Sequence, residues 1–129
     1  LAPAYYPADA TVPRSRLAEA ITAINQVCDK ASLKVYYVMH AGDGNMHCTV
    51  IGPDTEDWHE VLLKVQEEIY SAVIDMGGTL SGEHGIGFKR KKFMKLFLSK
   101  DHLELIKRVK LAFDPDNILN PGKLVEWNE

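Results

Sequence analysis

The apolar positions of the chain change their period several times, and each change marks an element. Leu17, Ala20, Ile21, Ile24 and Val27 recur every three or four residues, which predicts a helix with one apolar stripe. It starts around Pro13, because proline suits a first turn, and ends near Lys30. Leu33 to His40 is rich in β-branched and aromatic residues and reads as a strand, as does Met46 to Ile51. The glycines and Asx residues of Ala41-Gly42-Asp43-Gly44-Asn45 favour a tight reversal, so a hairpin is expected, with a wider connection between neighbouring strands as the alternative. After Gly52-Pro53, the positions Val61, Leu62, Val65, Ile69, Val73 and Met76 describe a long amphipathic helix that Gly77-Gly78 stops. Thr79-Leu80-Ser81 then leads into Gly82-Glu83-His84-Gly85-Ile86-Gly87. That run has too little side-chain bulk for a core, so its backbone is expected to approach something closely.

Helical spacing is weak over Lys89 to Leu98. It is clear from Asp101, read as an N-cap, through Leu103, Ile106, Val109 and Phe113. Asp114-Pro115-Asp116-Asn117 ends that helix, and Asn120-Pro121-Gly122-Lys123 is turn-like. Residues 1 to 12, interrupted by prolines, suit an extended lead-in better than a regular element. The order predicts an α+β fold: an antiparallel sheet with helices packed on one face, plus C-terminal helices.

Composition narrows the function classes. A chain of 129 residues supports one domain with a single core. Hydrophobic residues at 46% and charged residues at 26% are ordinary for a globular protein. The net charge of -3 argues against nucleic acid as a partner. No stretch nears the roughly 20 apolar residues of a membrane span, and Leu1 to Pro7 lacks the pattern of a signal peptide. Cys28 and Cys48 have neither framework nor zinc-knuckle spacing and read as small buried apolar residues. A start without Met inside a proline-containing stretch reads as a piece of a longer protein.

The candidate chemistry lies at the hairpin. If the strands pair with His40 opposite His47, the two imidazoles share a face with Cβ atoms about 5 Å apart. In that register Val38 faces Thr49 and Tyr36 faces Ile51, with Tyr37, Met39, Cys48 and Val50 on the other face. Two imidazoles so placed can ligate a divalent ion at roughly 2.0–2.2 Å, and Glu83 from the glycine-rich loop is the best third ligand. Three protein ligands leave room for substrate or water. The bland alternative is that each histidine is merely hydrogen-bonded or solvated, which is how His59 and His102 are read. Two histidines flanking Gly-Asp-Gly-Asn, with a Glu-His step in a second glycine-rich loop, favour the site.

Rival motifs fail. Gly82 and Gly87 have phosphate-loop spacing, but Phe88 stands where lysine is required, and Gly82-x-x-Gly85-x-Gly87 is a dinucleotide fingerprint reversed. Ser81 lacks the flanks of a nucleophile elbow. Lys89-Arg90-Lys91-Lys92 with Lys95 reads as a solvated helix face, with a contact to a cofactor pyrophosphate or partner subunit as the lesser alternative.

Three stretches together resemble a known family: His40-Ala41-Gly42-Asp43-Gly44-Asn45-Met46-His47, Ser81 to Gly87, and Phe113-Asp114-Pro115-Asp116-Asn117-Ile118-Leu119-Asn120-Pro121-Gly122-Lys123. Tyr5-Tyr6 and Asp9 to Arg14 add to the likeness. The chain is similar to the C-terminal domain of FAD-linked oxidases of the vanillyl-alcohol-oxidase superfamily, nearest in likeness to the glycolate- and D-lactate-oxidising members. The resemblance implies a ferredoxin-like cap over a flavin, with FAD held mainly by an N-terminal domain of the same polypeptide that is absent here.

It further implies a divalent metal, zinc or manganese, on His40, His47 and Glu83, with His84 as the base, and places Asn120, Gly122 and Lys123 near the flavin. The implied reaction oxidises a 2-hydroxy acid to a 2-oxo acid. The implied partners are that acid and an electron-acceptor subunit. The implied location is cytoplasmic, or peripheral at a membrane through a partner. The isolated chain is then expected to be inactive and colourless. Cys48 and Thr49 depart from the proline or asparagine that relatives carry after the second histidine, so the resemblance does not carry substrate choice. Two other readings stand beside it: a ferredoxin-like module that binds a metabolite or partner without catalysis, and a metal-dependent hydrolase.

Overall fold

The computed structural model describes residues 4–52 and 55–124; residues 1–3 of the expected lead-in and Pro53 lie outside them. The chain divides into two compact units at the step from His84 to Gly85.

The first unit is an α+β sandwich. Strand β1 (Ala4–Thr11) is followed by a short 3-10 turn at Arg14–Arg16, helix α1 (Leu17–Lys30), strands β2 (Lys34–His40) and β3 (Asn45–Gly52), and helix α2 (Trp58–Asp75). The three strands form an antiparallel sheet in the order β1-β3-β2. Thr79 and Thr11 exchange backbone hydrogen bonds at 2.8 and 3.2 Å, and the N–H of Gly82 donates to Asp9 O at 3.1 Å. The segment from Thr79 to Ser81 therefore lies along the outer edge of β1 through two isolated bridges, in the place that the last strand takes in the strand–helix–strand–strand–helix–strand order of a ferredoxin-like fold.

The amphipathic stripes explain the layers. Ile24 and Cys28 of α1 and Leu62, Val65, Ile69 and Val73 of α2 are buried, as are Tyr6, Ala8 and Ala10 of β1 and Met46, Cys48 and Val50 of β3. Each such large side chain contributes about 1.5–3 kcal/mol on leaving water. The opposite face of the sheet is open, with Tyr5 67%, Tyr36 58% and Val38 71% exposed.

Four expectations are corrected. Residues 4–11 are a full strand rather than a lead-in. Proline is tolerated because Asp9 and Thr11 turn their backbone groups to the outer edge of β1, and Pro7 has the same parity, so its missing N–H lies away from the β1–β3 ladder. The hairpin pairs His40 with Asn45 and Val38 with His47, two residues from the expected register. The cause is a shorter loop: Asp43 N–H donates to His40 O at 2.9 Å, Gly44 N–H donates to Ala41 O at 3.3 Å, and Gly44 takes φ +75°. A Cβ on Gly44 would lie 2.0 Å from Val12 O, so the hairpin tip needs glycine to reach the end of β1. A shift of two keeps the parity, and the two faces of the hairpin are those expected.

In the second unit, a 3-10 turn (Lys91–Phe93) runs into a short helix α3 (Met94–Phe97), and helix α4 spans Lys100–Phe113. The third correction is its cap. Ser99, not Asp101, is the N-cap and accepts from His102 N–H, because only Ser99 has the extended backbone a cap requires. Arg90 belongs to the structure rather than to a solvated face: it is buried, and its guanidinium donates to Gly85 O at 2.8 Å. Leu105, Val109 and Phe113 of α4 are exposed.

Candidate active site

The open face of the sheet carries polar side chains where the alternation would otherwise put more Tyr and Val. β1 supplies Asp9, β2 supplies His40, β3 supplies Asn45 and His47, and the loop after Ser81 supplies Glu83 and His84. Asp9 stands directly opposite His47 in the β1–β3 ladder, so both point to this face. His40 is the diagonal neighbour of His47 across the hairpin, and the two rings meet edge to face at 5.4 Å between centroids.

Asp9 is fully buried. Its Oδ2 accepts the Ser81 hydroxyl at 2.6 Å and the backbone N–H groups of Gly82 at 3.1 Å, Glu83 at 3.1 Å and His84 at 2.8 Å. Its Oδ1 accepts from Asn45 Nδ2 at 2.8 Å. Burial opposes the charge. The hydrogen bonds from Ser81, Asn45, His84 and Glu83 outweigh it and hold the carboxyl well below the ordinary range. Gly82 makes this approach feasible, since a Cβ there would lie 2.4 Å from both Asn45 Nδ2 and Thr11 Oγ1. The expectation of close backbone approach is met at Gly82.

The loop held in this way presents Glu83 to both histidines. Glu83 Oε1 lies 3.3 Å from His40 Nε2 and 3.0 Å from His47 Nε2. Ligands about 2.1 Å from one ion in tetrahedral or octahedral arrangement are separated by roughly 3.0–3.4 Å, so both Glu83 separations suit a small divalent cation, and all three donor atoms lie within 4.8 Å of one another. His40 and Glu83 are half exposed and His47 is largely buried, which leaves one side open. A cleft of about 430 Å³ adjoins the cluster, lined by Thr11, His40, Asp43, Asn45, Gly82 and Glu83. That is room for a small organic acid.

His84 stacks on His47 with centroids 4.7 Å apart and planes 17° from parallel. Its Nε2 is 3.8 Å from Glu83 Oε1, and its ring is half exposed. The structure thus brings together His40, His47, Glu83 and His84. Asn120, Gly122 and Lys123 form a turn in the second unit, where Lys123 N–H donates to Asn120 O at 3.3 Å and the lysine ammonium lies 5.2 Å from the Phe88 ring centre. His59 is exposed, and His102 bonds Ser99 at 3.0 Å.

Sequence reasoning missed Asp9, Asn45 and the structural use of Ser81. No local signal marks Asp9. It becomes visible only once β1 is known to pair with β3, which puts it opposite His47.

The chain is similar along nearly all its length to known proteins. Residues 1–124 match the family model for FAD linked oxidases, C-terminal domain. Glycolate oxidase subunit GlcD of Bacillus subtilis is 41% identical over 117 residues, covering 90% of this chain and 25% of that protein. D-lactate dehydrogenase of Archaeoglobus fulgidus is 37% identical over 91% of this chain and 26% of its own length. The mitochondrial D-lactate dehydrogenase [cytochrome] of Arabidopsis thaliana is 36% identical over 91% of this chain and 21% of its own length. The chain therefore spans about a quarter of the length of these relatives. With a family model matched from end to end of the described fold, the chain belongs to the C-terminal domains of FAD-linked oxidases.

Proposed function

We propose that this chain is the substrate-side portion of a flavin-dependent 2-hydroxy-acid dehydrogenase that converts a glycolate- or D-lactate-like acid to its 2-oxo acid. The observation that carries the reading is the convergence of His40, His47 and Glu83 beside an open cleft, with His84 stacked on His47. The glycolate oxidase and D-lactate dehydrogenases among the relatives supply the substrate class.

A divalent ion, zinc or manganese, held by His40, His47 and Glu83 would supply Lewis acidity to the bound acid, and FAD bound elsewhere in the protein would take up the α-hydrogen together with its electron pair. His84, in its neutral form, accepts the hydroxyl proton. The cleft walls orient the acid and exclude part of the bulk water. The exposed Tyr5, Tyr36 and Val38 of the first unit, and Leu105, Val109 and Phe113 of the second, suit a chain that packs against further protein. A flavin-binding domain of the same polypeptide fits that role, and an acceptor subunit completes the electron path.

The same separations around Glu83 would serve hydrogen bonds from protonated imidazoles, so metal content is the deciding measurement. The full-length protein, assayed with a dye acceptor against D- and L-2-hydroxy acids, is expected to turn over a short D-acid or glycolate and to lose activity to a chelator. Full activity in protein that contains no stoichiometric divalent metal would overturn the ligand set.

A further inference from the structure

Asp9 touches His47, Asn45 and the loop that bears Glu83 and His84, with most of its hydrogen bonds gathered on one oxygen. Its Oδ2 already accepts four donors and its Oδ1 accepts Asn45 Nδ2. Its position against the two histidines is what remains to be explained. Oδ1 lies 3.4 Å from His47 Nδ1, and Oδ2 lies 3.8 Å from His84 Nδ1. His47 Nδ1 is buried and has no hydrogen-bond partner among the described residues.

A buried imidazole nitrogen facing a carboxylate is stable as N–H and unstable as a lone pair, because two lone pairs would repel in a poorly solvated place. Placing the proton on Nδ1 leaves Nε2 as the bare nitrogen. Nε2 lies 3.0 Å from Glu83 Oε1, a half-exposed carboxylate at which water or a cation can screen the lone pairs that the fully buried Asp9 side cannot.

We propose that Asp9 is the positioning residue of this site: it fixes the Nδ1–H tautomer of His47, so that Nε2 is bare toward Glu83, while its other oxygen pins the loop bearing Glu83 and His84. The proposal rests on the metal reading above only for its consequence, since the tautomer is a property of the metal-free protein. One carboxylate then sets both the ligating atom of His47 and the distance of Glu83 from it. Outer-sphere carboxylates of this kind typically govern metal affinity by about 10- to 100-fold.

The substitution Asp9→Asn separates the two jobs. The amide oxygen can still accept from the loop donors, while the amide NH₂ turns toward His47 and toward Asn45, whose own amide flips to offer the otherwise unpartnered Oδ1. His47 Nδ1 is then stabilised as an acceptor, and the proton moves to Nε2, where it blocks coordination.

Nitrogen-15 NMR of the full chain without metal, above the pH at which the ring loses its second proton, is expected to show His47 as Nδ1–H in the natural sequence and shifted to Nε2–H in Asp9→Asn. Zinc titration of the same samples is expected to show about 10- to 100-fold weaker binding by the variant. A predominant Nε2–H tautomer in the unsubstituted protein would overturn the proposal even where Asp9→Asn fails to fold. So would a folded Asp9→Asn with unchanged zinc affinity. If the unsubstituted protein carries the Nδ1–H tautomer but binds no zinc, the metal reading fails while the role of Asp9 in orienting His47 stands.

Discussion

Gly82→Ala tests the close approach on which the site depends. Gly82 is not among the residues with positive φ, so alanine is conformationally acceptable there and its cost is steric. The added Cβ would sit 2.4 Å from Asn45 Nδ2 and from Thr11 Oγ1. Those atoms cannot simply swing away, because Asn45 Nδ2 bonds Asp9 Oδ1 at 2.8 Å and Thr11 Oγ1 at 3.0 Å. The loop must retreat by about 1 Å to reach ordinary van der Waals distance, which stretches its N–H bonds to the buried Asp9. Hydrogen bonds to a charged acceptor contribute about 1.5–3 kcal/mol each, and overpacking a tight site costs about 1–3 kcal/mol, so with partial relaxation a net loss of about 2–3 kcal/mol is expected. With an unfolding entropy of about 0.27 kcal/mol/K for a chain of this length, that loss lowers Tm by about 7–11 °C. Glu83 retreats with the loop, and zinc affinity should fall by about 10- to 100-fold. Gly85→Ala is the control. Gly85 has φ +71° but open space around it, so alanine costs only the left-handed strain of about 1–2 kcal/mol. Thermal unfolding and zinc titration of both variants decide. Gly82→Ala with unchanged Tm and affinity, beside a more damaged Gly85→Ala, would refute the reasoning.

Three further outcomes are expected. His84→Gln should keep zinc affinity within a few-fold but lower turnover of the full-length protein by about 10²- to 10⁴-fold, whereas Glu83→Gln should lose both; near-normal turnover of His84→Gln removes the base assignment. Asp9 has a folded pKa held below its unfolded value near 3.9, so the stability it contributes is fully present above about pH 4 and is lost as pH falls toward the folded pKa. Urea unfolding between pH 2.5 and 5 should therefore show a slope shallower by about 1.4 kcal/mol per pH unit in Asp9→Asn below pH 4, and an unchanged slope contradicts the assignment. Burial pushes the Cys28 thiol up to about 11 and the Cys48 thiol up to about 12, so a thiol reagent at pH 8 should label neither in the folded protein and both after unfolding. Rapid labelling of the native chain would show that the core beneath β3 opens.

The helices and the hairpin were legible because their apolar positions repeat at the helical or strand period, as Leu62, Val65, Ile69 and Val73 do along α2. β1 was not legible. Its inward residues include Ala8 and Ala10, which give little hydrophobic contrast, and Pro7 looks like a breaker until the outer edge of the strand is known to leave its N–H position free. The hairpin register failed by two residues because loop length, not side-chain pattern, fixes it, while the pattern did fix which residues share a face. The histidines and Glu83 were readable as chemistry since residue type and glycine context point to ligation. Asp9 was hidden because its importance comes from a long-range pairing to His47 and from backbone donors more than 70 positions away, neither of which leaves a local trace.

The alternation along the central hairpin has a consequence for how this protein can change over time. Met39, Cys48 and Val50 face the helices, while Tyr36, Val38 and Thr49 stand on the other face among the site histidines. Heritable variation at the second set can reshape the neighbourhood of the site while the first set keeps the fold intact. Thr49, two residues beyond His47 and on the same side, is a position that can change in single steps while each intermediate still folds.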